Sequence, residues 1–237
     1  MAREAANAGR NVNVYSLEMT NTEIAQRFLY ATEMVTPSQI ASADIDWQAF
    51  KLAAGQYASK PIYLSDSLFG EDEIIADIML NIQSGRCNMV FIDYLGLVVY
   101  ADTKSLLTTA ISGFTKRLKQ VALTYKIPIV LLCQLNRASA SEKRPPQLFD
   151  LRDSGSIEQD ADIVLMLERD AGSLDGKDVN MWVRKNRQGS AGDINVEIVG
   201  NDTFTLFRDK NDPRPPLVMT DDLSGSDDFD NDSDFPF

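Results

Sequence analysis

The sequence contains no histidine. That excludes Ser-His-Asp and Cys-His nucleophilic catalysis and most zinc sites, so any chemistry must rest on carboxylates, Lys, Arg and amides. Only two cysteines occur, Cys87 and Cys133, and both flank or occupy apolar, strand-like stretches. Free core thiols in a reducing cytoplasm are favoured over a disulfide. No apolar run approaches the roughly 18 residues of a membrane span. Residues 1–9 lack the apolar core of a signal peptide, so the expected location is cytoplasmic, with no membrane partner. Basic charge is scarce: 23 Lys and Arg stand against 35 Asp and Glu, for a net charge of −12. The deficit is local, because residues 221–237 hold seven Asp and no Lys or Arg. Removing those seven from the 35 leaves 28 acidic groups against 23 basic ones, so a local basic loop in the body can still meet phosphates.

The 237 residues, 44% of them hydrophobic, suffice for one large α/β domain or two small ones. The central stretch is Asn88 to Val99, where Met89, Val90, Phe91, Ile92 and Leu95 surround Asp93. An apolar run of this length reads as a strand buried on both faces, as in a parallel sheet. An aspartate at its C-terminal end sits where ligands bind in open α/β sheets, and in a P-loop-type fold it would hold Mg²⁺. The alternative is a strand that simply stops at a turn residue.

Along the chain, residues 2–8 read as a helix closed by Gly9, and 11–15 as a short strand ending in Ser16-Leu17-Glu18-Met19. Thr20 and Glu23 form a capping box for a helix to residue 30. Short helices are expected at 37–42 and 46–59, the latter with Trp47, Phe50, Leu52 and Tyr57 available for burial, and a strand at 61–64. Residues 71–83 are amphipathic, with Ile74, Ile75, Ile78 and Met79 on one face. A long helix at 106–125 carries Ile111, Phe114, Leu118 and Val121 on its period, and an apolar strand at 127–133 runs into Gln134. Strand–helix–strand with near-uniform apolar strands predicts right-handed crossovers and a parallel sheet. Residues 138–153 read as a polar surface loop. Strands at 163–167, 179–183, 194–199 and 203–207 predict an antiparallel extension of the sheet. From Asp209 onward, Pro, Ser and Asp predict a disordered acidic tail, giving a body at 1–208 and a tail at 209–237.

If the strands are parallel neighbours, Glu18, Asp93 and Gln134 converge on one sheet edge. One carboxylate for Mg²⁺, one for a water and one amide for a phosphate is the set that phosphoryl transfer needs. Singly, Glu18 reads more readily as a helix N-terminal acid and Gln134 as a strand-end hydrogen-bonder; their joint occurrence at strand ends is what favours a site.

The order of five stretches resembles one family. Ser16-Leu17-Glu18-Met19, Phe91-Ile92-Asp93-Tyr94-Leu95, Gln134-Leu135-Asn136-Arg137, the twelve residues Leu151 to Asp162, and Lys185-Asn186-Arg187-Gln188-Gly189 occur as in DnaB-type replicative helicases. The resemblance covers residues 1 to about 208, the C-terminal RecA-like motor domain, and Leu151–Asp162 is its most specific part. It implies an α/β P-loop NTPase core with a mostly parallel sheet, ATP and Mg²⁺ as cofactors, and action as an ATP-dependent DNA helicase. By resemblance Glu18 is the catalytic base, Asp93 the Walker B carboxylate on Mg²⁺, and Gln134 the γ-phosphate sensor. Lys185 and Arg187 would reach a neighbouring subunit's ATP, Arg187 as the arginine finger. Arg27 matches a nucleotide-site arginine, and Arg152, Asp153 and Gly155 match the loop that holds single-stranded DNA phosphates. Implied partners are single-stranded DNA, further copies in a hexameric ring, primase and a helicase loader.

Two departures stand out. Gly96 occupies a place where the family usually has Gln. No G-x-x-x-x-G-K-[S/T] stretch occurs, so the first strand and P-loop are expected to be missing and the isolated chain to be inactive. The expectation is therefore a truncated or split motor domain. The alternative is a non-catalytic oligomerising module that docks on the replisome; another RecA-like ATPase fits Leu151–Asp162 less well. The tail's Phe235-Pro236-Phe237, after a run of Asp, resembles the acidic C-terminus of bacterial single-strand DNA-binding proteins. That implies recruitment of proteins that bind such tails, the alternatives being a solubilising tail or one that blocks the loop at Arg152.

Overall fold

The computed structural model describes residues 1–101, 107–136, 144–151, 155–170, 172–192 and 194–210. Helix α1 (Ala2–Asn7) ends at Gly9, whose φ of 78° suits a residue without Cβ, and leads into β1 (Val12–Ser16). The capping box on Thr20 and Glu23 starts α2 (Asn21–Tyr30), and α3 (Pro37–Ser42) and α4 (Trp47–Ala58) follow. Then come β2 (Ile62–Ser65), α5 (Glu71–Gln83), β3 (Met89–Asp93), α6 (Leu107–Tyr125) and β4 (Ile129–Leu131). The chain continues through α7 (Gly155–Asp160), β5 (Ile163–Arg169), β6 (Asp178–Asn186), β7 (Ile194–Gly200) and β8 (Phe207–Asp209).

The four apolar strands β2-β1-β3-β4 form one parallel sheet in that order. All five residues of β1 are buried, as a central parallel strand requires. One face packs on α5 and α6 through Tyr15, Ile74, Ile78, Val90, Ile92, Phe114 and Leu118. The other packs on α1 through Ala6, Val12, Val14 and Phe91. Burying each large side chain of this core contributes about 1.5–3 kcal/mol.

The antiparallel strands form a second sheet, β5-β6-β7-β8, rather than a continuation of the first. The two meet in one core, because Val164 and Met166 of β5 pack with the interior of the parallel sheet. The last strand lies at Phe207–Asp209, later than the sequence predicts, because Asn201 folds residues 201–206 into a turn by accepting from the Thr205 and Leu206 N–H groups. Two burial expectations fail. Trp47 and Leu52 are exposed, and α4 instead stacks Tyr57 on Phe28 of α2 with ring centroids 5.4 Å apart. Asp150 and Pro146, in the stretch read as a surface loop, are buried. No helix among the described residues is long and apolar enough to cross a membrane.

Candidate functional site

The register of β1 on β3 sets Ser16 against Asp93, so the turn after β1 rises beside that carboxylate. Ser16 closes the turn: its hydroxyl donates to the Met19 carbonyl at 2.6 Å and accepts from the Met19 N–H at 3.2 Å. The Leu17 N–H donates to the Asp93 carbonyl at 2.6 Å. Asp66, just past β2, accepts from the Asn21 N–H at 2.8 Å and fixes the start of α2. Glu18 is thereby held at the sheet edge, and Arg27 follows on α2. Burial pushes the Asp93 carboxyl above the usual carboxylate range, the Glu18 carboxylate pushes it further, and the Arg27 guanidinium opposes them. Glu18 and Arg27 thus both act electrostatically on Asp93. A half-buried carboxylate raised by a second one is a setting that a divalent cation relieves, so the pair suits Mg²⁺ whose other ligands are water and phosphate oxygens. Among the described residues no group of three or more acids and thiols forms a closed metal cage.

Gln134 lies three residues beyond β4 and is exposed. Its strand is tied to that of Asp93: the Leu132 N–H donates to the Ile92 carbonyl and the Leu95 N–H to the Leu132 carbonyl, each at 3.0 Å. Immediately after Gln134, Leu135 makes an antiparallel bridge with Leu151, and the Asn136 N–H donates to the Asp150 carbonyl at 2.7 Å. The stretch that carries Gln134 is therefore stitched to the one that leads into Arg152. Arg152 and Asp153 lie outside the described residues, as do Phe235, Pro236 and Phe237; Gly155 opens α7 and is exposed.

Lys185 and Arg187 gather elsewhere, at the end of α7. The Lys185 ammonium donates to the Glu158 carbonyl, and Arg187 donates to the Gln159 carbonyl at 2.6 Å and to Asp162 at 3.2 Å. The electrostatic partners of Asp93 are Glu18 and Arg27, whereas Lys185 and Arg187 act on Asp162. The structure accordingly assembles two groups, one at the parallel sheet edge and one around α7.

Gly96 also finds a local reason. A Cβ there would lie 2.7 Å from the Tyr94 ring, so a Gln requires that ring to move. Two features escape sequence reasoning. Asp162 and its partner Lys119 lie 43 positions apart, and only the specificity of the Leu151–Asp162 stretch hinted at the former. The Arg144–Asp150 pair is hidden in an apparently ordinary polar loop.

Comparison with known proteins shows the family. The family model described as the DnaB-like helicase C terminal domain matches residues 1–209. The replicative DNA helicase DnaB of Mycobacterium leprae is 32% identical over 192 residues, covering 77% of this chain and 32% of that protein. That of Leifsonia xyli is 32% identical over 204 residues, covering 82% of this chain and 44% of that protein. The chain thus spans about a third to under half the length of these curated relatives. Among solved structures, one described as an ATPase domain superposes with a TM-score of 0.78 at 28% identity, covering 87% of this chain and 76% of that one. A DnaB-like replicative helicase studied with primase gives 0.79 at 27% identity, covering 87% and 53%.

Proposed function

The chain belongs to the DnaB-like helicase C-terminal domain family, and from that premise we propose that it serves as motor material of a replicative DNA helicase, coupling ATP hydrolysis to movement on single-stranded DNA and to duplex unwinding. The observation that carries the reading is the register that sets Ser16 against Asp93 and so brings the Glu18 turn to the edge beside that carboxylate, with Gln134 stitched to the approach to Arg152. Glu18, exposed on a rigid turn, takes the proton of the attacking water. Asp93 is the residue that would hold Mg²⁺, which neutralises phosphate charge when bound. Arg27 adds positive charge beside the same phosphates. Gln134 reports the γ-phosphate through the Leu135–Leu151 bridge to Arg152, Asp153 and Gly155, which hold DNA phosphates without reading bases. Lys185 and Arg187, grouped away from Asp93, serve the nucleotide of a neighbouring copy in a ring. Primase, a helicase loader and proteins that bind acidic tails such as 227–237 are the further partners of this reading, in the cytoplasm.

The sequence contributes no P-loop, which supplies backbone N–H groups, a Lys and a hydroxyl to the triphosphate. The 237 residues alone are therefore expected neither to bind nor to turn over Mg-ATP. Fusing them behind a strand, P-loop and helix from a relative should confer ATPase activity that Glu18→Gln abolishes. Restored activity indifferent to Glu18→Gln would refute the site. The second reading is a non-catalytic module that docks on complete helicase subunits. Under that reading the fused protein stays inactive, while the 237-residue chain enters rings of an intact relative.

A further inference from the structure

Asp162 follows α7 and is shared between two cations. One carboxylate oxygen pairs with the Lys119 ammonium from α6, and the other accepts from Arg187 at 3.2 Å. Its carbonyl accepts the Arg187 N–H at 2.9 Å, and the Gln159 carbonyl takes the far end of the guanidinium at 2.6 Å. The Lys119 hydrogen bond holds the Asp162 carboxyl below the usual range, burial opposes it, and the charges of Lys119, Arg187 and Lys185 assist, so Asp162 is ionised at neutral pH. The two partners are held unequally. Lys119 is 21% exposed, an anchor; Arg187 is 48% exposed and its contact is longer than the 2.7–2.9 Å of a good charge-assisted bond.

The geometry points to Asp162 as a positioning residue that parks Arg187 against its own subunit and releases it to an incoming phosphate. This rests on the reading of Arg187 as a phosphate-facing group. A polyphosphate offers more charge than one exposed carboxylate already shared with Lys119, so the exchange is favourable whenever an anion comes within reach. The pair being exposed, parking weakens anion capture only about two- to fivefold, the range that such ion pairs contribute. Release has a second effect. Arg187 and Lys185 hold the last carbonyls of α7, a helix of six residues whose first is Gly155. Arg187 therefore holds the C-terminal end of the same short helix that Gly155 opens.

The test titrates inorganic triphosphate into the full 237-residue chain at low salt and follows the Arg187 Nε–Hε resonance by NMR. Asp162→Asn is expected to tighten the apparent affinity about two- to fivefold. Asp162→Glu, which keeps the charge, should restore the parent affinity. Asp44→Asn, which removes one charge at an exposed position on another loop, should leave it unchanged. Equal affinity for the parent and Asp162→Asn, with Arg187 responding in both, overturns the parking role while leaving Arg187 as a phosphate group. An equal gain from Asp44→Asn overturns it too, by reducing the effect to net charge. Silence of Arg187 in every variant removes the premise and the inference with it.

Discussion

Replacing Asp150 by Asn should unfasten the base of the segment that leads into Arg152. Asp150 is 0% exposed and its carboxylate accepts three hydrogen bonds: from both Arg144 Nη atoms at 2.6 and 2.8 Å and from the Gln147 N–H at 2.8 Å. Asn keeps the shape, but it accepts at only one oxygen and turns an N–H₂ toward the guanidinium. Breaking a fully buried ion pair costs about 3–5 kcal/mol. Arg144 is 25% exposed and regains some hydration, which places Asp150→Asn at about 2–3 kcal/mol. With a urea m-value of about 3 kcal/mol/M, the unfolding midpoint should fall by just under about 1 M with m unchanged. The loss also carries a pH signature. Arg144 holds the Asp150 carboxyl below the usual range, burial opposes it, and the Gln147 N–H assists. A depressed folded pKa makes the stabilisation complete above the unfolded value of about 3.9 and lost as pH falls through the folded one. The gap between parent and variant should therefore be full at pH 7 and close below about pH 4. A midpoint unmoved at pH 7, or a gap that persists undiminished in acid, would refute the assignment of this pair as the fastening.

At the sheet edge, the Asp93 carboxyl should titrate above an ordinary aspartate by ¹³C NMR, and Glu18→Gln should bring it down by removing the repulsion; a titration unchanged by the substitution would separate the two residues. Phe114→Ala, at a fully buried position beneath the parallel sheet, should cost about 3–5 kcal/mol in urea unfolding, and a loss under about 1 kcal/mol would mean that α6 does not pack as described. Burial pushes the Cys133 thiol up to about 11, so at pH 8 it should react with a disulfide reagent far more slowly than a free thiol; reaction at the free-thiol rate would contradict its setting.

The parallel sheet was legible in the sequence because residues 89–92 and 127–133 are continuous apolar runs joined by a long amphipathic helix. The meeting of Glu18 and Asp93 followed from the same logic, since parallel strands put their C-terminal ends on one edge. The separation of the sheets was not legible: residues 163–167 read as a strand of an extension of the same sheet, yet they open a second one in which, of those five, only Val164 and Met166 are covered. Hydropathy states what a strand can bury and leaves open what stands beside it. Trp47 and Leu52 show the same gap on a helix. Asp162 and Asp150 were missed for another reason. Their meaning lies in Lys119 and Arg144, and a pairing across 43 residues, or one hidden inside a polar loop, has no period to betray it.

The division into two sheets has a consequence for how the chain behaves in solution. Among the described residues β4 has no strand partner beyond β3, and β5 none beyond β6. Beside those open edges Leu132, Ile163, Leu165 and Leu167 are 40%, 58%, 41% and 55% exposed. Unpaired backbone next to bare aliphatic side chains is a template on which another strand, from any source, can crystallise. Charged gatekeepers would ordinarily interrupt such a surface, but the first five residues of β5 carry none. Restraint falls instead to the whole molecule's net charge of −12, which keeps copies apart at long range and is screened within about 10 Å at 0.1 M salt. Colloidal stability of the isolated chain should therefore hinge on ionic strength, with low salt keeping it dispersed and high salt bringing the bare strands together.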